Sequence, residues 1–95
     1  MYMGFATREG TARFAARFPA HAANGFFRTA QGLTVSSLGI GTYLGGMDEE
    51  ADRGYREAVA AAVRGGINFI DTSLNYRHQR SERAVGAALQ ALFEA

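Results

Sequence analysis

The feature that most constrains this chain is an alternation of short apolar runs with amphipathic helical segments. Residues 48–64 carry apolar side chains at helical spacing, the run Phe69-Ile70 follows, and residues 81–92 repeat the helical pattern. Strands that alternate with helices form βαβ units with parallel strands, joined by a right-handed crossover. The sequence therefore predicts an α/β fold.

The first helical segment has clear signals at both ends. Asp48 is placed to cap it, and the acidic residues that follow favour the positive end of the helix dipole, which predicts a solvated helix start. Gly65 and Gly66 stand where helices commonly end. Its predicted core-facing stripe consists of Tyr55, Ala58, Val59, Ala62 and Val63.

The second helical segment is predicted to begin after an N-cap, Ser81. Its apolar stripe consists of Val85, Ala88, Leu89 and Leu92. No stop signal precedes Ala95, which predicts that the chain was cut within a longer fold.

The segment before the helices predicts a hairpin followed by a strand. Residues 26–29 and 33–36 have strand propensity, and Gly32, in the short loop between them, is free to adopt positive φ. A strand is predicted within residues 37–46, where Gly39 and Gly41 alternate with apolar side chains. Glycine within a strand indicates close approach of another group to its backbone.

Composition excludes several classes of function. The 95 residues form at most one small domain, and 47% hydrophobic with 20% charged residues is an ordinary globular balance. A net charge of +1 creates no strong field for nucleic acid, and no apolar run approaches the roughly 20 residues of a membrane span. Cysteine is absent, and His21 and His78 are too far apart for a local metal motif.

The glycines of residues 39–46 invite a nucleotide-binding interpretation. The pattern from Gly39 to Gly45 is G-x-G-x-x-x-G, one residue longer than the dinucleotide-binding motif, and it does not open directly into a helix. All ten basic residues are arginine, so a P-loop lysine is also absent. A stand-alone nucleotide binder using residues 39–46 stays as one hypothesis.

Residues 1–25 are rich in alanine, arginine and phenylalanine and predict a short amphipathic helix that ends near Pro19. A mitochondrial targeting peptide is one interpretation, but Glu9 is acidic and serine is absent from the segment. The favoured interpretation is an N-terminal extension that packs on the domain or frays from it.

Asp71 and Tyr76 are the candidate site residues. Asp71 ends the apolar run directly, and a carboxylate there is costly to bury without a partner, which predicts a surface or a site. Taken singly, Asp71 is also explained as a capping or loop-bonding carboxylate, and Tyr76 as a half-buried core aromatic residue.

The motifs in order carry a resemblance. Gly32-Leu33-Thr34-Val35-Ser36-Ser37-Leu38-Gly39-Ile40-Gly41-Thr42 resembles the start of the aldo-keto reductase family, as do Gly66-Ile67-Asn68-Phe69-Ile70-Asp71-Thr72-Ser73 with Tyr76, Ser81-Glu82 and Gly86-Ala87-Ala88-Leu89. The resemblance covers residues 26–92. It implies a (β/α)8 TIM barrel, of which residues 26–95 are the N-terminal part: the opening hairpin and two βα units. The barrel is incomplete in this chain, and residues 1–25 are an N-terminal extension.

The resemblance also implies the chemistry. The family reduces aldehydes or ketones to alcohols with NADPH, and Asp71 matches an aspartate of its catalytic tetrad. Tyr76 matches the tyrosine that protonates the carbonyl oxygen. Gly41, Thr42 and Tyr43, with Asp71, are expected to line the nicotinamide end of the cofactor.

The tetrad is incomplete in this chain. A phenol has an ordinary pKa of about 10, and the family lowers the pKa of its tyrosine with a lysine that the aspartate holds. This chain has no lysine, and the tetrad histidine comes from a later strand, so His78 does not match it. We therefore expect the isolated chain to be inactive and to bind no cofactor tightly. Arg77 is a second departure, because glycine commonly follows the tyrosine.

The leading hypothesis is the N-terminal fragment of a cytoplasmic, NADP-dependent oxidoreductase with a small carbonyl substrate, and without metal, nucleic-acid or membrane partners. The alternative is a non-enzymatic α/β module that self-associates or binds a protein through an exposed sheet edge. Poor solution behaviour is expected in either case, because two parallel strands and a hairpin offer the helices little to cover.

Overall fold

The structure is a computed structural model that describes residues 4–94. The elements in chain order are α1 (Arg8–Ala16), α2 (Pro19–Ala23), β1 (Phe27–Ala30), β2 (Leu33–Ser36), β3 (Ile40–Gly41), α3 (Glu49–Arg64), β4 (Ile70–Asp71) and α4 (Arg80–Glu94). β1 and β2 form an antiparallel pair, and β3 and β4 form a separate parallel pair. The predicted hairpin, two βα units and parallel strand pairing are confirmed.

The hairpin turns through two residues rather than the expected three. Ala30 pairs with Leu33 in the last register position, so Ala30 belongs to β1 and not to the loop. Gln31 and Gly32 have φ of 53° and 80°, which suits the twist of a two-residue turn. The predicted loop is one residue too long, because alanine gives no local signal that separates strand from turn.

The predicted ends of α3 are confirmed. Asp48 Oδ1 accepts a hydrogen bond from Ala51 N at 2.9 Å, and Gly65 caps the last turn. Gly66 has φ of 107°, and the amide of Ile67 reaches back to Ala62 O at 2.9 Å. A glycine in this conformation ends a helix without the steric cost of a Cβ.

The predicted start of α4 is wrong. Ser81 is not an N-cap but lies inside the first turn, because α4 begins at Arg80. Its side chain is fully buried, and its hydroxyl donates to Thr42 O instead of to the helix. A long-range acceptor therefore replaces the local capping bond that the residue type suggested.

The core lies where α3 and α4 pack on the parallel strands. Val59, Val85 and Ala88 are buried, and Ile40 and Ile70 pack against them from β3 and β4. The predicted α4 stripe is confirmed, whereas Ala58 of the α3 stripe is exposed. Phe69 is apolar but 52% exposed, because neighbouring residues of an extended chain face opposite ways and the helices cover the face on which Ile70 lies.

The N-terminal extension packs on the domain. Thr11 Oγ1 accepts a hydrogen bond from Thr34 N at 3.0 Å, which attaches α1 to β2, and His21 Nε2 lies 3.1 Å from Gly65 O. Pro19 ends the first helix as expected, but it also occupies the first turn of α2, a second helix that was not predicted. Within residues 4–94, no helix is long and apolar enough to cross a membrane.

Candidate active site

The register of the parallel strands brings the two predicted site segments to one edge. Ile40 lies opposite Ile70, and Gly41 lies opposite Asp71. Beyond this point the Thr42 hydroxyl donates to Asp71 O at 2.8 Å, and the Thr42 side chain is fully buried. Thr42 thus ties the end of β3 to the end of β4. The segments that follow β3 and β4 both leave the sheet at its carboxyl edge, where parallel α/β folds place their sites.

The loops that leave this edge bring two aromatic rings into contact. Tyr43 follows β3, Tyr76 follows β4, and their ring centroids lie 5.0 Å apart with an interplanar angle of 73°. This edge-to-face arrangement is a favourable one for aromatic pairs. Tyr43 is 66% exposed and Tyr76 is half-buried. The two rings therefore form an aromatic wall that is exposed at Tyr43 and half-buried at Tyr76.

The two groups expected to carry chemistry face no competing partner in the described chain. Asp71 is exposed, and within residues 4–94 no hydrogen bond or ion pair engages its carboxylate or the Tyr76 hydroxyl. Among the described residues, the Asp71 carboxylate therefore makes no capping or loop-bonding hydrogen bond. Both groups are available to an outside partner: the carboxylate to a cation, and the phenol to an acceptor of its proton.

The loop that carries Tyr76 has an unusual backbone. Arg77, His78 and Gln79 follow with φ of 52°, 53° and 69°, all in the left-handed region. This region costs a residue with a side chain roughly 1–2 kcal/mol, and glycine adopts it readily. The departure from glycine at Arg77 therefore matters for the loop, and the loop requires contacts that offset the strain.

Those contacts come from the Arg77 side chain, which is 1% exposed. Nε donates to Gly46 O at 2.8 Å, Nη1 to Ser81 Oγ at 3.4 Å and Nη2 to Asp52 Oδ1 at 2.6 Å. The guanidinium carbon also lies 4.7 Å from the centroid of the Tyr55 ring, a cation–π distance. Arg77 is thus held in place by four separate groups.

The Asp52 carboxylate also pairs with a second arginine. Arg80 Nη1 lies 2.5 Å from Asp52 Oδ2, so the two carboxylate oxygens accept from two different guanidinium groups. Burial alone would raise the pKa of Asp52, but hydrogen bonds from Arg77 and Arg80, together with their positive charge, outweigh it and place the pKa below its usual range. Asp52 is therefore anionic at neutral pH and holds both arginines.

The role of Asp52 is one that the sequence did not predict. Its position in an acidic first turn indicated a solvated helix start, but its side chain is 14% exposed and paired on both oxygens. Arg77 was noted only as a substitution for glycine. A signal was nevertheless present, since a large charged residue at a position that favours glycine needs a specific partner to be stable there.

The residues that were expected to contact the cofactor differ in their exposure and in the free space beside them. A Cβ added at Gly41 would meet no atom within 4 Å, so the strand end is open beside Asp71 and the two tyrosines. Thr42 is buried and its hydroxyl is already engaged by Asp71 O, whereas Tyr43 is exposed. These residues thus leave an open backbone edge and an exposed aromatic ring beside the Asp71 carboxylate.

Gly39 and Gly41 also test the expectation of close backbone approach. It is confirmed at Gly39, where an added Cβ would lie 2.9 Å from Phe69 Cδ1 and 3.1 Å from Phe69 O. At Gly41 no described atom would lie within 4 Å of an added Cβ, and the expectation there stays a prediction. Among the described residues, no group of three or more His, Asp or Glu side chains is arranged to hold a metal ion.

One of three comparisons with known proteins gives a match. The sequence model described as the aldo/keto reductase family matches residues 37–95, from the residue before Leu38 through α4. Searches of curated proteins and of solved structures gave no significant match. The matched segment is well over half of the chain and contains β3, α3, β4 and both candidate catalytic residues. The chain therefore belongs to the aldo/keto reductase family, an oxidoreductase family with a TIM-barrel fold whose members generally use NAD(P)H.

Proposed function

We propose that this chain supplies the front of a reductase site that converts aldehydes or ketones to alcohols with NADPH, with Tyr76 as proton donor. The observation that carries the proposal is the pairing of the two strand ends. Asp71 lies opposite Gly41, and the rings that follow, Tyr43 and Tyr76, touch edge to face. One accessible edge thus presents a carboxylate, a phenol and an open backbone strand.

The chemistry follows from the residue types. NAD(P)H supplies the hydride, and negative charge develops on the carbonyl oxygen as the carbonyl carbon accepts it. A phenol within hydrogen-bond distance of that oxygen transfers its proton there, which makes Tyr76 the general acid. Tyr76 is half-buried and has a free hydroxyl in the described chain, so it is accessible without being fully solvated.

Asp71 has a different task. In the family, an aspartate at this position holds a cation, and a cation beside a phenol makes the phenol a stronger acid. The chain has no lysine, and the Asp71 carboxylate is unpaired within residues 4–94, so we infer that it holds a lysine from another part of a complete barrel. The isolated chain is then inactive.

The experiment is a transplant. Residues 37–95 replace the corresponding segment of an active reductase of this family, and NADPH oxidation with a small aldehyde is followed by absorbance. Tyr76→Phe should lower kcat by at least about 100-fold, since a general acid contributes roughly 10²–10⁴-fold. The matched control is Tyr43→Phe, which keeps the ring contact and should cost less than about tenfold. Equal effects of the two substitutions would contradict the role of Tyr76.

A second candidate function is self-association, and the exposed apolar side chains beside the strand pair favour it. Leu38 is 62% exposed and Phe69 is 52% exposed, and an open groove of about 620 Å³ runs between the hairpin and β3. We propose that copies of the isolated chain cover this face mutually. Gel filtration over a range of concentrations should show an increasing size, which Phe69→Ser reduces. A constant monomeric size would contradict it.

A further inference from the structure

We propose that Arg77 is a positioning residue that fixes the Tyr76 ring against the Tyr43 ring. The catalytic meaning of this inference rests on the proposed function, but the geometry does not depend on that function. The inference joins three observations: the burial of the Arg77 side chain, the strained backbone next to Tyr76, and the set of groups that Arg77 binds.

The first step concerns the Tyr76 side of the contact. Arg77 directly follows Tyr76, so the backbone conformation of Arg77 sets the direction in which the chain leaves the tyrosine. Its φ of 52° is left-handed and unfavourable for arginine. The buried guanidinium supplies what offsets this strain. Release of the guanidinium should therefore let the loop relax and turn the Tyr76 ring.

The second step concerns the Tyr43 side. Arg77 Nε donates to Gly46 O, three residues after Tyr43. Ser81, which accepts from Arg77 Nη1, donates in turn to Thr42 O, the residue before Tyr43. Arg77 thus acts on the backbone on both sides of Tyr43, directly at one end and through Ser81 at the other.

A third connection runs through Tyr55. Its ring lies under the Arg77 guanidinium, and its hydroxyl donates to Leu44 O. Gly45 has φ of 124°, and an added Cβ would lie 3.4 Å from Tyr55 Cε2 and 3.7 Å from Arg77 Nε. The loop after β3 is therefore packed against Tyr55 and the Arg77 guanidinium along residues 44–46.

The geometry requires arginine. Three acceptors in different directions, Gly46 O, Ser81 Oγ and Asp52 Oδ1, match the planar fork of a guanidinium and the stacked Tyr55 ring matches its flat face. A lysine ammonium is a single point on a flexible stem and cannot reach all of them at once. Arg77→Lys keeps the charge and should nevertheless fail to restore the contact.

The test is solution NMR on the whole chain with labelled tyrosine rings. The unsubstituted chain should show an NOE between the Tyr43 and Tyr76 rings, whose centroids lie 5.0 Å apart. Arg77→Met and Arg77→Lys should both lose this cross-peak while the methyl cross-peaks of Val59 and Val85 are kept. The matched control is Arg83→Met, since the Arg83 side chain is exposed and binds only His78 O among the described residues, at 3.5 Å.

Two results would overturn the proposal. One is a folded Arg77→Met chain that keeps the Tyr43–Tyr76 NOE unchanged. If that variant unfolds, Asp52→Asn decides, because it retains the side-chain shape and removes the charge that holds Arg77. An unchanged NOE in folded Asp52→Asn overturns the proposal equally. Activity is not part of this readout, so a failure of Arg77 positioning is separable from a failure of Tyr76 as the acid in the transplant.

Discussion

Arg77 Nη2 lies 2.6 Å from Asp52 Oδ1, and this partly buried ion pair joins the loop that follows the candidate proton donor to the first turn of α3. A second arginine, Arg80, pairs with the other oxygen of the Asp52 carboxylate. The pair links elements that the family match places in one continuous segment, and it explains how an arginine occupies a backbone conformation that favours glycine.

The strain and the contacts at Arg77 are separable by a pair of glycine substitutions. His78 and Arg77 have nearly the same φ, 53° and 52°, but His78 is exposed while Arg77 is buried. His78→Gly relieves the strain and should stabilise the chain by up to about 1 kcal/mol. Arg77→Gly relieves the same strain but loses its hydrogen bonds, and should destabilise by about 2 kcal/mol or more.

The measurement is urea denaturation followed by circular dichroism, with both variants compared in one buffer. Opposite signs are the expected outcome. A stabilising Arg77→Gly substitution would show that the guanidinium contacts do not hold the loop.

The lowered pKa of Asp52 predicts how stability depends on pH. A carboxyl whose folded pKa lies below its unfolded value, ordinarily 3.8, stabilises the fold fully above the unfolded value, and this contribution is lost as the pH falls through the folded pKa. The stability difference between the natural chain and Asp52→Asn should therefore be constant above about pH 5 and shrink in more acidic solution.

Thermal unfolding of both chains from acid to neutral pH measures this difference. Glu49→Gln is a suitable control, because Glu49 pairs with Arg56 at 3.2 Å but its side chain is 80% exposed. A difference for Asp52→Asn that grows as the pH falls would contradict the assigned pairing.

Gly39 and Gly41, which flank Ile40, test the packing of the strand pair. Gly39→Ala places a Cβ against Phe69 Cδ1 and Phe69 O, so it should destabilise by about 1–3 kcal/mol. Gly41→Ala meets open space and should change the free energy of unfolding by less than about 0.5 kcal/mol. Urea denaturation again gives both values, and equal effects would mean that β3 and β4 do not pair in this register.

The isolated chain should not reduce aldehydes. Purified residues 1–95, mixed with NADPH and a small aldehyde, should oxidise the cofactor no faster than the Tyr76→Phe variant, because the chain has no lysine for Asp71 to hold beside the phenol. Absorbance of NADPH over time is the measurement. A rate clearly above that of the Tyr76→Phe variant would show that the chain carries a complete site by itself.

The parts of this fold that the sequence predicts are those with local signals. Asp48, Gly65 and Gly66 bracket α3, and the apolar spacing from Val85 to Leu92 identifies α4. The parallel pairing follows from the strand–helix–strand order. In the candidate site, Asp71 and Tyr76 were identified from the family resemblance, and the structure brings Gly41, Thr42 and Tyr43 to the same edge as Asp71.

The parts that could not be predicted depend on contacts between distant residues. Ser81 has the composition of an N-cap, but its acceptor is Thr42 O, 39 positions earlier. Asp52 looks like any first-turn acid until the fold places Arg77 beside it. Phe69 has strand propensity, yet its exposure depends on which face of β4 is covered. The local propensity of a residue gives no information about any of these three features.

The central claim is that Tyr76 is the proton donor, and the most direct measurement is the pH dependence of kcat in the transplanted reductase. With Tyr76 present, carbonyl reduction should fall in alkaline solution, because a deprotonated phenol has no proton to transfer. Tyr76→Phe should be at least about 100-fold slower and should lose this fall. A Tyr76→Phe enzyme with the same pH profile, at a rate within about tenfold, would contradict the account.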